Sequence, residues 1–295
     1  MQRVFRVFMA LPFGIALLCG SAIVIGRASQ PARASDVLFL SNRYGSEDII
    51  ASDIGRGLTI NLTRTPSWDG APNRSPDGLR LAFASLRDGD MEIYVMALDG
   101  GARQLTNNVS FRDSDPAWSP DGAQIAFASD RTREWELYLM DDDGENVRAL
   151  THASGGSQSP AWSPDGSQIA YVSYYRGNAA VFIINADGTD AHPVAFSGRA
   201  RFLAPAWSPD GSRLTLASDQ DSRDFEIYLL DIATGALTRL TTSLYMDTNP
   251  TWTADGAQIL FESWRDGNPE IYLMDADGAN VARVTNHAAR DSDPS

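Results

Sequence analysis

Lysine is absent from this chain: all 24 basic residues are arginine, set against 38 acidic ones. Four of the arginines and none of the acids precede Ser35, so residues 35–295 carry 20 positive and 38 negative side chains, a net of −18. A field of that sign repels phosphate backbones and anionic membrane surfaces, so no nucleic-acid partner is expected. Cysteine is almost missing too. Cys19 is the only one, and it leaves residues 35–295 without a disulfide, a thiolate nucleophile or a cysteine-based metal site. The three histidines, His152, His192 and His287, are far apart and show no metal-ligand spacing. Neither a metal nor a cofactor is expected. No Gly-x-Ser-x-Gly nucleophile elbow occurs. No amphipathic helical pattern follows residue 35, which argues against an α/β fold.

The N-terminus holds the one long apolar run. Val7 to Gly26 are 20 uncharged, mostly apolar residues behind Arg3 and Arg6, long enough to span a bilayer. The run also reads as a secretory signal, because Ala32-Arg33-Ala34 offers a small-residue cleavage site before Ser35. Two arginines flank it on each side, so the charge balance selects neither reading. Leu18, standing where a small residue is wanted before a modified cysteine, argues against lipidation of Cys19. Residues 1–34 are therefore read as a signal peptide or N-terminal membrane anchor, and residues 35–295 as an exported domain, periplasmic or extracellular.

That domain is punctuated by a recurring phrase. Ser75-Pro76-Asp77-Gly78, Ser119-Pro120-Asp121-Gly122, Ser163-Pro164-Asp165-Gly166, Ser208-Pro209-Asp210-Gly211 and Thr253-Ala254-Asp255-Gly256 place their aspartates 44, 44, 45 and 45 residues apart. Such a period marks a repeat architecture. Within one copy, Pro116–Ser119 is a short extended run and Pro120-Asp121-Gly122 a tight turn. Gln124–Ser129 and Glu136–Met140 read as strands, Asp141–Gly144 as a second turn, and Val147–Thr151 as a fourth strand. Four antiparallel strands make a propeller blade. The fold class expected is all-β.

Upstream of the first full copy, Val37–Ser41, Asp48–Ser52 and Leu58–Thr63 supply three strands with no inner strand before them. The tail Asp291-Ser292-Asp293-Pro294-Ser295 repeats the approach Asp113-Ser114-Asp115-Pro116-Ala117 to an inner strand. The expectation is a six-bladed β-propeller of four-stranded antiparallel blades, one of them shared between the N- and C-terminal segments. Closure of that kind removes open sheet edges. The competing reading is an array that runs further than residue 295.

Pro116-Ala117-Trp118-Ser119-Pro120-Asp121-Gly122, then Ile125-Ala126-Phe127, Leu137-Tyr138-Leu139-Met140 and Leu150-Thr151, resemble the repeats of the TolB-like propeller family. Similar strings recur at Pro160–Gly166, Pro205–Gly211 and Pro250–Gly256, so the resemblance covers about residues 36 to 295. It implies an exported binding propeller. Departures are Arg74 at the inner tryptophan position and Thr253-Ala254 in place of Ser-Pro. Only residues 27–36 separate the apolar run from the first strand, which leaves no room for the α/β domain that precedes the propeller in TolB.

The tight Asp-Gly turns fall on one face and the longer connections on the other. Function concentrates on such loops over a rigid scaffold. The candidate rim comprises Trp68, Phe111, Arg112, Asp113, Arg199, Arg201, Phe202, Tyr245 and Asp247, with Asp115, Asn249 and Asp293 around the channel mouth. Tyrosine, tryptophan and arginine dominate binding hot spots; packing between blades and capping of turns are the structural alternatives for the same residues. Asp141–Asn146 lacks the alternating ligands and distant carboxylate of a calcium loop and reads as a hairpin turn. Trp118, Trp162, Trp207 and Trp252 recur in fixed register and read as wedges between blades. The functional expectation is a monomeric, non-enzymatic propeller binding a protein, peptide or cell-envelope component, with possible membrane anchoring by residues 7–26. The alternative is a polysaccharide lyase or hydrolase with acidic residues in the funnel. Convergence of Asp113, Asp115, Asp247 and Asp291 would favour the enzyme.

Overall fold

The computed structural model describes residues 37–53, 56–98, 100–152 and 155–295. The apolar segment 7–26, the cleavage motif at 32–34 and Asp99 of one hairpin turn lie outside the described residues. Blade I begins with β1 (Val37–Ser41), β2 (Asp48–Asp53) and β3 (Leu58–Asn61). Blade II is β4 (Asp69–Arg74), β5 (Arg80–Ser85), β6 (Glu92–Ala97) and β7 (Gly100–Gln104). Blade III is β8 (Asp113–Trp118), β9 (Gln124–Ser129), β10 (Glu136–Asp141) and β11 (Arg148–Ala149). Blade IV is β12 (Ser157–Trp162), β13 (Gln168–Tyr175), β14 (Asn178–Asn185) and β15 (His192–Ala195). Blade V is β16 (Phe202–Trp207), β17 (Arg213–Ser218), β18 (Glu226–Asp231) and β19 (Leu237–Arg239). Blade VI is β20 (Asp247–Trp252), β21 (Gln258–Ser263), β22 (Glu270–Asp275) and β23 (Ala282–Arg283), and β24 (Asp291–Ser292) follows it. The strands form six four-stranded antiparallel sheets, with no helix among the described residues.

The tail completes blade I. β24 pairs antiparallel with β1, Leu40 opposite Ser292 and Ser41 opposite Asp291. Beyond it, Leu38 and Ser295 exchange both backbone hydrogen bonds at 2.9 Å. The pairing is interrupted at Asp293-Pro294, and that interruption recurs in every blade. In blades II to VI the register of the inner strand shifts across Ala71-Pro72, Asp115-Pro116, Ser159-Pro160, Ala204-Pro205 and Asn249-Pro250. Proline has no N–H for the ladder, so it sits at a bulge. The residue before it takes a left-handed φ, from +49° at Ala71 to +53° at Ser159, and Asp293 at +52° follows suit. Six repetitions at one register make this a device of the fold, which bends each inner strand at mid-height.

The Ser-Pro-Asp-Gly phrase is a self-contained turn. In blade III the Ser119 hydroxyl donates to Asp121 at 2.6 Å and accepts from the Gln124 amide at 2.9 Å. Asp121 also accepts from the Ala123 amide at 3.0 Å, while Gly122 takes a φ of +70°. Hydrogen bonds from Ser208 and Ser212 hold the equivalent Asp210 carboxyl down at about 2. These aspartates shape turns; none faces the channel cavity.

The core lies between neighbouring blades. Leu81, Phe83, Tyr94 and Met96 of blade II pack on Leu38, Leu40, Ile49 and Ala51 of blade I, and each pair of blades repeats the arrangement. Full burial of such side chains stabilises by about 1.5–3 kcal/mol apiece. The inner tryptophans act as the wedges expected. The indole N–H of Trp162, Trp207 and Trp252 donates to Ala117, Ala161 and Ala206 of the preceding blade at 3.1, 3.1 and 3.3 Å. The outer strands are shorter than the sequence pattern indicates. β11 and β23 hold two residues each, and the threonines beyond them, Thr151 and Thr285, bond buried carboxylates.

Candidate functional site

Two buried polar systems anchor the long-loop rim. In five blades the residue opening the third strand is an acid: Asp48, Glu92, Glu136, Glu226 or Glu270. Each accepts a hydrogen bond from the threonine that ends its own blade: Thr63, Thr106, Thr151, Thr241 or Thr285. Desolvation raises the carboxyls of Glu92 and Glu226 above the ordinary range. The second system joins the inner strand to the adjacent connection. Arg43, Arg87, Arg131 and Arg265 pair with Asp291, Asp69, Asp113 and Asp247 at 2.7, 2.8, 3.1 and 3.0 Å, and all four carboxylates are buried. The same guanidiniums lie 4.4–5.6 Å from the ring centroids of Phe39, Phe83, Tyr94, Phe127, Tyr138, Phe261 and Tyr272. Loops held in this way present their tips rigidly.

Blades IV and V lack the second system. Ser157 and Tyr175 stand where the others have aspartate and arginine, and Phe202 and Gln220 do so in blade V. Blade IV also lacks the first, since Ala180 and Ala195 occupy the acid and threonine positions. Its second and third strands instead zip up to eight residues each, ending in the turn Arg176-Gly177 with φ of +52° and +92°. Tyr175 packs edge-on against Phe182 and Phe196 at 5.7 and 5.3 Å.

The inner strands run from the long-loop rim towards the tight turns, and the channel between them opens into a cavity of about 420 Å³. Its lining starts at the bulge residues, Asp115, Asn249 and Asp293 among them, and runs down through Trp118, Trp162 and Trp207 to Pro120 and Pro164. The cavity therefore occupies the tight-turn half of the channel. Asp115 accepts from the Ser159 amide at 3.1 Å, and Asn249 donates to Glu262 at 3.1 Å. Asp293 lines the same cavity as Asp115 and feels the negative charges of Asp115, Glu262 and Glu47, offset in part by Arg290. The lumen leaves Asp115 and Asp293 part-exposed, but the protein around them is deep. Burial raises Asp115 and Glu262, and burial together with the neighbouring carboxylates pushes Asp293 up to about 7.

The structure thus separates the residues named from the sequence. Asp113 and Asp247 are fully buried in their ion pairs, and Phe202 is in the core between blades IV and V. Trp68 is half-buried and donates to Glu47, lying so close over Gly70 that a Cβ there would meet its ring at 2.2 Å. Phe111 is half-buried. Arg112 pairs with Asp130 and covers Trp135, and Arg201 pairs with Asp219 and covers Phe225, both guanidiniums staying exposed. Arg199 is exposed, as is Tyr245 at 52 %. Asp113, Asp247 and Asp291 do not converge: each is held by the arginine of its own blade. Asp115 and Asp293 line one cavity, and Glu262, which takes a backbone hydrogen bond from Asp293, was not singled out from the sequence. Glu262 could have been found as the lone charge on an inner-facing strand position that holds Leu40, Ala84, Ala128, Val172 or Ala217 in the other blades.

Known proteins share this architecture. Over 78 residues the chain is 31% identical to the protein TolB homolog of Chlorobium luteolum, a match that spans 26% of this chain and only 18% of that protein. The crystal structure of TolB from Acinetobacter baumannii superposes with a TM-score of 0.78 at 19% identity, covering 88% of this chain and 65% of that one. An oligogalacturonate lyase in complex with manganese superposes with a TM-score of 0.63 at 19% identity, covering 88% of this chain and 77% of the lyase. The family model described as the TolB beta propeller domain, PD40, matches residues 20–134 and 131–295. With that match spanning both halves of the propeller, the chain belongs to the TolB beta propeller domain family.

Proposed function

We propose that this chain is an exported, non-enzymatic propeller that binds a protein or peptide segment of the cell envelope through its long-loop rim and central channel. The observation that carries the reading is the rim itself. Exposed Tyr245 and Arg112 stand on loops whose bases are fixed by the buried pairs Asp247–Arg265 and Asp113–Arg131, and exposed Arg199 and Arg201 stand on the connection into blade V, where Arg201 is held by Asp219. Rigid presentation lowers the ordering cost of binding. The apolar run Val7–Gly26 supports export, and the kinship with TolB propellers supports an envelope setting. Replacing Tyr245 and Arg201 together with alanine is expected to abolish capture of the native partner in a pull-down from envelope extract, while the melting curve stays unchanged. Undiminished capture by the double variant contradicts the rim assignment.

A second reading is favoured by one observation. Asp293, held near neutrality beside Asp115 in a cavity, is the kind of carboxyl that serves as a general acid or base. A propeller lyase or hydrolase would use it. Incubation with polygalacturonate and a panel of envelope peptides distinguishes the two: the binding reading expects no product, and product lost in Asp293→Asn would establish the enzyme.

A further inference from the structure

Blade IV breaks the charge pattern of the rim. In the other five blades the connection between second and third strands carries at least one acid: Glu47, Asp88 and Asp90, Asp130 and Glu134, Asp219 with Asp221 and Asp224, or Asp266. The rim connections of blade IV, residues 150–156, 174–179 and 196–201, contain no carboxylate and three arginines, Arg176, Arg199 and Arg201. Arg176 and Arg199 make no salt bridge among the described residues, and the Arg176 guanidinium lies 5.0 Å over the Tyr175 ring. Phe196, 49 % exposed, packs on the same Tyr175 ring at 5.3 Å, and Tyr174 on the opposite face of the hairpin is 62 % exposed. Where four other blades fold an arginine inward onto a buried aspartate, this one turns Arg176 and Arg199 outward.

We infer that this outward hairpin of blade IV is a docking patch for a short acidic segment of a protein partner, its carboxylates engaging Arg176 and Arg199 and its side chains packing on the exposed ring of Phe196. This deepens the binding reading above and rests on it. Arginine forks match carboxylates in charge and geometry, and exposed rings add contact area at low entropic cost. Charge complementarity selects the sign of the occupant. The surrounding rim selects its length: Glu134 lies in the connection of one flanking blade and Asp221 and Asp224 in that of the other, so a long polyanion would run from the patch onto like charge. Screening over roughly 8 Å at physiological salt confines the attraction to a few residues.

The test uses a fluorescein-labelled decapeptide of alternating glutamate and glycine, followed by fluorescence anisotropy at low salt. Binding to the unaltered protein is expected to weaken roughly tenfold in Arg176→Asn/Arg199→Ala, a loss of about 1.4 kcal/mol; asparagine is chosen because it tolerates the left-handed φ of residue 176. Phe196→Ala should also weaken it, whereas Arg56→Ala/Arg64→Asn, which removes the same charge from blade I and respects the left-handed φ of residue 64, should leave it within about twofold of the unaltered protein. Circular dichroism melts check that all variants fold. Equal losses in the blade I control, equal binding of a lysine–glycine decapeptide, or tighter binding of oligogalacturonate or anionic vesicles at Arg176 and Arg199 would each overturn the assignment. Failure here with the Tyr245/Arg201 pull-down intact removes the patch and leaves the binding reading standing.

Discussion

Replacement of Asp291 with alanine is expected to lower the thermal midpoint by roughly 10 °C. The carboxylate is fully buried, accepts the Ser41 hydroxyl at 2.6 Å, and holds both of its oxygens within 2.8 Å of the Arg43 guanidinium. Its removal strands Arg43, only 11% exposed, without a counter-charge. Breaking one partner of a buried pair costs about 3–5 kcal/mol, and each kcal/mol shifts the midpoint by about 2–4 °C in a domain of this size. Asp291 also opens β24, the strand that shuts the ring. The same change at Asp113 strands Arg131 within one continuous blade. Loss of Asp291 should therefore also loosen the seam, seen as accelerated proteolysis near residue 37 that Asp113→Ala does not show. A shift below about 2 °C would mean that the tail contributes little to the folded ring.

The second large effect concerns pH. Burial, with the negative charges of Asp115, Glu262 and Glu47 outweighing the one cation Arg290, pushes the Asp293 carboxyl up to about 7 from an ordinary 3.8. A carboxyl raised on folding favours the protonated state. Its penalty is absent below pH 4, grows between pH 4 and 7, and is complete above 7. Asp293→Asn removes the ionisable group and keeps the shape. The variant is expected to melt at or slightly below the parent at pH 4, and several degrees above it at pH 8. The gain corresponds to about 1–3 kcal/mol once lumen water is allowed for. A pH-independent difference between the two proteins would show that the lumen carboxylates titrate normally.

Much of this structure was legible before any coordinates. The Asp-Gly marks fixed the blade count because a turn that satisfies itself through serine and aspartate side chains reads locally, as Ser119-Pro120-Asp121-Gly122 does. The shared blade was readable because Asp291–Ser295 repeats an inner-strand approach. The roles of individual charges were harder. Asp113 and Asp247 looked like rim residues, yet each belongs to an arginine 18 residues downstream, Arg131 and Arg265. Asp69 and Arg87 keep that separation too, so the constant interval was the available signal. What no local pattern could supply was the electrostatic coupling of Asp115, Asp293 and Glu262. They come from blades III, I and VI, and only closure of the ring brings them together.

Ring closure is the premise beneath the rigid rim, the lumen cluster and the pH effect alike. Residue-resolved hydrogen exchange of the Leu38 amide, which donates to Ser295 at 2.9 Å, probes it most directly. Protection of the same order as the Phe127 amide in the middle of β9 is the predicted result. Exchange as fast as that of an exposed sheet edge would contradict a closed six-bladed ring.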